Sequence, residues 1–101
     1  MASASKLSPE ALLILTSLAN GSKHGYAIQQ DIVHLSGRRL GPGSLYGAIA
    51  RLEAAGYIAA VKLQGARRPY SLTASGSRAL ADEVESLRKI TMAAAHRLAA
   101  R

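Results

Sequence analysis

The spacing of apolar residues predicts three short helices in the first half of the chain. Ser8-Pro9-Glu10 combines a hydroxyl N-cap, a first-turn proline and an acid, which is typical of a helix start. Apolar residues at 11, 12, 14, 15 and 18 form one wide face, and Asn20-Gly21 ends the segment. The first helix is therefore expected over residues 9–19.

The second helix is expected to open at Ser22 or Lys23 and to end at Ser36-Gly37. The third is expected over 42–55, from Pro42 to the residue before Gly56. Helical spacing in the second helix comes from Tyr26, Ala27, Ile28, Ile32 and Leu35, and in the third from Leu45, Ile49 and Leu52.

After Gly56 the apolar period changes from helical to strand-like. The segment 57–63 is rich in β-branched and aromatic residues, which favours a strand. The segment 69–72 predicts a second strand, with Pro69 at the first position, where a sheet tolerates proline. The polar segment 64–68 lies between them, so the sequence predicts a hairpin with a basic tip.

The last helix is expected to begin at its cap, Thr73, and to run to Arg101 or near it. Apolar or small residues recur in it with alternating spacings of 4 and 3, a heptad seam that is typical of helix pairing. The seam could pack on its own domain, but roughly 28 helical residues span about 40 Å, more than so small a domain covers. We therefore expect a homodimer, to which the first helix also contributes. The predicted interface residues are Leu12, Leu80, Val84, Leu87, Thr91, Ala94 and Leu98.

This order of elements predicts an α+β fold that is mostly α. It is a winged helix-turn-helix of three helices and a two-stranded wing, followed by a long C-terminal helix. We expect a DNA-binding domain over residues 1–73 and a dimerisation helix over 74–101.

Composition narrows the possible partners. The 101 residues fit one domain and include no Cys, which excludes disulfides, thiolate metal sites and a Cys nucleophile. The apolar run 11–15 is too short for a signal sequence or a membrane span. We therefore expect no membrane partner, and the absence of Cys is compatible with a cytoplasmic protein.

Positive charge is concentrated in the middle of the chain. The net charge is +7, and the segment 23–72 holds seven basic and two acidic residues. Such a balance favours a polyanion, most often nucleic acid, although charge alone can also serve solubility.

The outer face of the third helix carries Gly43, Ser44, Gly47, Ala50, Arg51 and Ala54. Small residues let a helix enter a DNA major groove closely, and Ser44 and Arg51 can reach phosphates or base edges. The same face could instead pack against another protein. We expect helix 42–55 in the major groove and wing 62–69 on the backbone or in the minor groove. The predicted DNA-binding residues are Lys23, His24, Arg38, Arg39, Gly43, Ser44, Tyr46, Gly47, Arg51, Lys62, Gln64, Arg67 and Arg68.

Several short motifs occur in a fixed order over roughly residues 8–80. They are Lys23-His24-Gly25-Tyr26, Pro42-Gly43-Ser44-Leu45-Tyr46, Arg51-Leu52-Glu53, Ala55-Gly56-Tyr57-Ile58, the basic wing with Gly65, Arg67, Arg68 and Tyr70, and Leu72-Thr73-Ala74-Ser75-Gly76. This set resembles the PadR family of bacterial winged-helix transcriptional regulators. The resemblance implies a homodimer that binds double-stranded DNA, usually as a repressor, and that a small aromatic effector can release. It also implies a bacterial, cytoplasmic protein that is associated with the nucleoid.

The chain departs from the family pattern at a few positions. Gly41 stands where a Ser or Thr cap is usual, and Gly47 where proline is frequent. Pro69 stands where a basic residue is more usual, and Ser71 where Arg or Tyr is common, so this wing is expected to bind DNA less strongly. The sequence has no Trp, so the stacking of a planar ligand on a last-helix Trp, which some small members use, is not available.

Neither catalysis nor metal binding finds support in the sequence. His24, His34 and His96 lack metal-ligand spacing, and the acids at 82, 83 and 85 fit a solvated helix face. We therefore expect no enzyme activity, no metal and no cofactor. The alternative function that stays open is a winged-helix module for protein–protein interaction.

Overall fold

The computed structural model describes residues 7–61 and 68–101, and within these ranges the chain forms four helices and a two-stranded sheet. The helices are α1 (Pro9–Leu18), α2 (Gly25–Ser36), α3 (Pro42–Ala54) and α4 (Ala74–Ala99), and the strands are β1 (Ile58–Ala60) and β2 (Tyr70–Leu72). The element order is the predicted one, so the winged helix-turn-helix fold class is confirmed.

Local hydrogen bonds explain where the helices begin. The Ser8 hydroxyl accepts from the Ala11 N–H at 3.1 Å, and the Thr73 hydroxyl accepts from the Gly76 N–H at 3.0 Å, as both caps predict. The second helix begins later than expected, because Lys23 pairs with β2 instead. Its N–H donates to the Tyr70 carbonyl at 3.1 Å, and its carbonyl accepts from the Tyr70 N–H at 2.8 Å.

The two strands pair antiparallel, with Ile58 opposite Leu72 and Ala60 opposite Tyr70. The first strand starts after Tyr57, whose N–H donates to the Leu52 carbonyl at 3.0 Å and so still belongs to the end of α3. Beyond Ala60, the Val61 N–H donates to the Pro69 carbonyl at 2.7 Å, which carries the pairing one step further.

One hydrophobic core joins α1, α2, α3 and β1. Its most deeply buried apolar side chains are Ile14, Leu15, Ile28, Ile32, Leu45, Ile49 and Ile58. Full burial of one such side chain is worth roughly 1.5–3 kcal/mol. The predicted apolar stripe of α3 is confirmed, but α2 differs: Tyr26 and Leu35 are exposed, while Gln29 is buried.

The last helix leaves this core part-way along its length. Near its start, Gly76 is buried so close to the hairpin that a Cβ there would overlap the Tyr57 carbonyl oxygen. From Arg88 to Arg101 every residue is exposed. The radius of gyration is 15.2 Å, against about 13 Å for a compact domain of this length. The far half of α4 therefore projects from the domain.

Within the described ranges, no helix combines the length and the apolar character that a membrane span requires.

Candidate nucleic-acid interface

The outer face of α3 is small, exposed and nearly free of charge. Gly43, Ser44, Ala50 and Ala54 are exposed. A Cβ built on Gly43 would meet no neighbouring atom of the described residues within 4 Å. Arg51 is the basic residue of this face. Its side chain points toward the start of the helix, so that a Cβ built on Gly47 would lie 3.4 Å from a guanidinium nitrogen. The face is therefore smooth enough for close approach to another surface, with one cation available to reach it.

The start of α3 has no side-chain cap. Gly41 is the N-cap residue, Pro42 occupies the first turn, and no side-chain cap bonds the first-turn amides among the residues that the structure describes. The Leu45 N–H already bonds the Gly41 carbonyl at 2.9 Å, which leaves the amides of Gly43 and Ser44 facing outward. Uncapped amides at a helix start suit an anionic oxygen, because the helix dipole and the N–H groups act together.

A recess of about 320 Å³ lies where the start of α2, the side of α3 and the start of β2 meet. Tyr46 reaches into it across α2, and its ring lies so close to Gly25 that a Cβ there would be 2.6 Å from the Tyr46 hydroxyl. The lining residues are His24, Gly25, Tyr26, Tyr46, Arg68 and Tyr70. Two exposed tyrosine rings, an imidazole and a guanidinium together suit a phosphate oxygen.

Another recess, of about 130 Å³, continues this surface toward the turn between α2 and α3. It shares Tyr26 and Tyr46 with the first recess and adds Arg39, Pro42, Leu45 and Gln29. The two recesses therefore form one surface that runs from Arg68 to Arg39. We call this surface, together with the outer face of α3, the basic face.

The turn itself is fixed by a buried amide that sequence reasoning missed. The Gln29 Nε2 donates to the Leu40 carbonyl at 2.6 Å, and the Leu40 N–H donates to Gln29 Oε1 at 3.1 Å. Gln29 is only 6% exposed. A polar residue beside Ile28 on the inner side of α2 was the available signal.

Most of the predicted DNA-binding residues lie on or beside the basic face, and Arg38 is exposed in the turn next to Arg39. Lys23 is different. Its ammonium donates to the Ser17 carbonyl and to Asn20 Oδ1 at 2.6 Å, and it lies 4.0 Å from Asp31 Oδ2. These bonds tie it to the end of α1, so its contact with DNA stays a prediction. The predicted wing residues Lys62, Gln64 and Arg67 lie outside the described residues.

The predicted pairing seam on α4 changes character along the helix. Leu80 packs against the core and Leu87 is half-buried, whereas Val84, Thr91, Ala94 and Leu98 are exposed. Leu12 on α1 is half-buried. Sequence reasoning missed Ile90, which is 60% exposed. It lies three residues after Leu87 and four before Ala94, so helical spacing places it beside the seam.

Among residues 7–61 and 68–101, no three His, Cys, Asp or Glu side chains come close enough to hold a metal ion.

Comparison with known proteins gives a consistent result. The sequence profile of the Transcriptional regulator PadR-like family matches residues 14–82. An uncharacterized 37.1 kDa protein in transposon TN4556 of Streptomyces fradiae is 46% identical over 80 residues, which cover 79% of this chain and 23% of that protein. The chain thus spans about a quarter of the length of this curated relative.

Solved structures of transcription regulators share the fold. A PadR family regulator from Clostridium difficile R20291 is 25% identical with a TM-score of 0.77, covering 90% of this chain and 99% of that one. A regulator from Clostridium thermocellum is 27% identical with a TM-score of 0.74, covering 86% and 87%. A PadR-like regulator from Bacillus cereus ATCC 14579 has a TM-score of 0.77 at 17% identity, covering 87% and 89%, and shows likeness of fold alone.

Proposed function

Because the chain belongs to the PadR-like family of transcriptional regulators, we propose that it binds specific double-stranded DNA as a homodimer and represses transcription. The family comprises regulators rather than enzymes, and its fold supports DNA-binding transcription regulation. One observation carries the proposal for this chain. The exposed face of α3 is built from glycine, serine and alanine with one arginine, and it adjoins recesses that Arg39 and Arg68 line.

In the proposed complex, α3 enters the major groove. Side chains as small as those of Gly43, Ser44 and Ala50 let the helix axis approach the base edges. Arg51 then reads a guanine edge or binds a phosphate, and the outward amides of the first turn bind a backbone oxygen.

The recess lined by His24, Tyr46 and Arg68 receives a backbone phosphate beside the groove. Tyrosine hydroxyls and a guanidinium donate to phosphate oxygens without reading sequence, so these contacts set register and affinity. Wing 62–69 follows the backbone or enters the minor groove, and Arg38 and Arg39 add charge at the other end of the basic face.

The homodimer forms through α4. This helix carries Val84, Ile90 and Leu98, which are 44%, 60% and 63% exposed in the single chain. A two-fold pair would present two α3 helices to half-sites about 34 Å apart, one turn of DNA. Repression and release by a small aromatic effector rest on the family resemblance alone.

The test is fluorescence anisotropy with a labelled duplex from the region upstream of the chain's own gene, against a scrambled duplex, at several salt concentrations. Specific binding should resist the scrambled competitor. The logarithm of the association constant should fall linearly with the logarithm of the salt concentration. Binding that is weak and equal for both duplexes, over the whole upstream region, would favour the interaction module and contradict the proposal.

Arginine variants separate the two kinds of contact. Arg51→Ala should weaken binding and relax the preference for sequence. Arg68→Ala should weaken binding to all duplexes alike and reduce the slope of the log affinity against log salt concentration by about 1. Lys89→Ala is the charge-matched control, since it removes one positive charge from an exposed position of α4 outside the predicted seam. If Arg51→Ala and Arg68→Ala both bind like the Lys89→Ala control, the proposed docking of α3 and the recess is wrong.

A further inference from the structure

We infer that Gln29 is a positioning residue of the DNA interface: its buried carboxamide holds the turn before α3 and so sets the direction of Arg39 and of the first-turn amides of α3. The consequence for DNA rests on the proposed function, whereas the clamp itself can be tested on the free protein.

The clamp is a matched pair of hydrogen bonds to one residue. Gln29 donates from Nε2 to the Leu40 carbonyl at 2.6 Å and accepts at Oε1 from the Leu40 N–H at 3.1 Å. A carboxamide presents a donor and an acceptor side by side, so it pairs with Leu40 as a neighbouring strand would. With Gln29 6% exposed and Leu40 packed against the core, little solvent is available to replace these bonds.

The clamp lies in the turn between α2 and α3, directly before the proposed DNA-binding helix. The turn starts at Gly37, whose left-handed conformation (φ 73°) ends α2, and α3 begins at Pro42. Leu40 lies two residues before Pro42, and Arg39 lines the same recess as Gln29. Holding Leu40 therefore fixes the segment from which Arg39 and the outward amides of Gly43 and Ser44 point.

The chemistry at position 29 favours positioning over core packing. Residue 29 adjoins Ile28 on the buried side of α2, where an apolar side chain would pack without any hydrogen-bonding demand. A buried amide is costly unless its polar groups are paired. Methionine has a similar length and would fill the space, but it would leave both polar groups of Leu40 unpaired.

The test compares Gln29→Met, which removes both bonds but fills the space, and Gln29→Ala, which removes both bonds and most of the side chain, with Gln30→Met. Gln30 is exposed, one residue further along, and its described bond is to the Tyr26 hydroxyl on its own helix, at 3.2 Å. Amide hydrogen exchange of residues 38–44 in the free protein reports the clamp. Affinity for the specific and the scrambled duplex reports its effect on DNA, at a temperature where circular dichroism shows each variant folded.

We expect both Gln29 variants to speed exchange at Leu40 about tenfold or more, and to weaken specific binding about tenfold while binding to scrambled duplex changes much less. Gln30→Met should match the wild type in exchange at Leu40 and in its preference for the specific duplex. Any effect that it has through Tyr26, which lines the recess, should weaken binding to both duplexes alike. The loss of preference for the specific duplex is the decisive result. Simple destabilisation would instead weaken binding to both duplexes by the same factor, set by the unfolded fraction.

Two results would overturn the inference: unchanged exchange at Leu40 in a folded Gln29 variant, or an equal loss of affinity for both duplexes. If the wild type itself prefers no duplex, the proposed function fails, and the exchange result alone then decides whether Gln29 holds the turn. If Gln29→Met does not fold, the Gln29→Ala variant, which buries neither a charge nor a longer side chain, supplies the same measurements.

Discussion

Replacing Gly47 with alanine should stabilise the protein and weaken its binding to DNA. Gly47 lies in the interior of α3, and among the described residues the contact that a Cβ there would make outside the helix backbone is with a terminal nitrogen of Arg51, at 3.4 Å. The methyl group therefore fits the free protein. Alanine is favoured over glycine inside a helix by about 0.8–1 kcal/mol. For a domain of this size, 1 kcal/mol corresponds to a rise in Tm of roughly 4–8 °C.

On the DNA side the same methyl group should have the opposite effect. It projects from the outer face of α3, where the proposed complex depends on close approach. Overfilling a well-packed contact by one methyl group costs typically about 1–3 kcal/mol. This corresponds to roughly a 5- to 150-fold rise in Kd.

Thermal unfolding by circular dichroism and anisotropy binding measure the two effects on the same preparations. Ser86→Ala is the control, because it adds helix propensity at an exposed position of α4 and should raise Tm slightly without changing Kd. A Gly47→Ala variant that is more stable and binds as tightly as the wild type would refute the docking of this face. A Gly47→Ala variant of lower stability would show that the methyl group does not fit beside Arg51 in the free protein.

Three further substitutions test other parts of the structure. Leu87→Glu should convert the proposed dimer to monomers in sedimentation, and an unmoved monomer–dimer ratio would show that the seam lies elsewhere. The Ser17 hydroxyl is buried and has no partner among the described residues; Ser17→Ala should therefore leave stability to denaturant unchanged or raise it by up to about 1 kcal/mol. Gly76→Ala should cost more than about 2 kcal/mol, since its Cβ would overlap the Tyr57 carbonyl, and a near-neutral result would argue against that close approach.

Local chemistry was enough to predict most helix boundaries. Ser8 and Thr73 are helix caps as expected, because a cap depends on a few neighbouring residues and their own amides. The apolar stripe of α3 was also predictable from spacing alone, and its members Leu45, Ile49 and Leu52 are buried.

Features that depend on distant partners could not be predicted in this way. The delayed start of α2 results from pairing of Lys23 with Tyr70, and nothing near Lys23 in the sequence signals that partner. Gln29 is buried because Leu40, beyond the end of its helix, offers both of its backbone groups. Spacing assigns residues to a helix, but burial of Gln29 and exposure of Tyr26 depend on how the helices pack.

The projecting half of α4 bears on the genetics of this protein. The proposed pairing residues on α4 and the reading residues on α3 belong to different elements, so a mutation in one leaves the other intact. A copy with a damaged α3 and a normal α4 would still capture a normal partner and hold it in a mixed pair with one working half. Such alleles should be dominant over the normal gene, whereas alleles that damage the far half of α4 should be recessive.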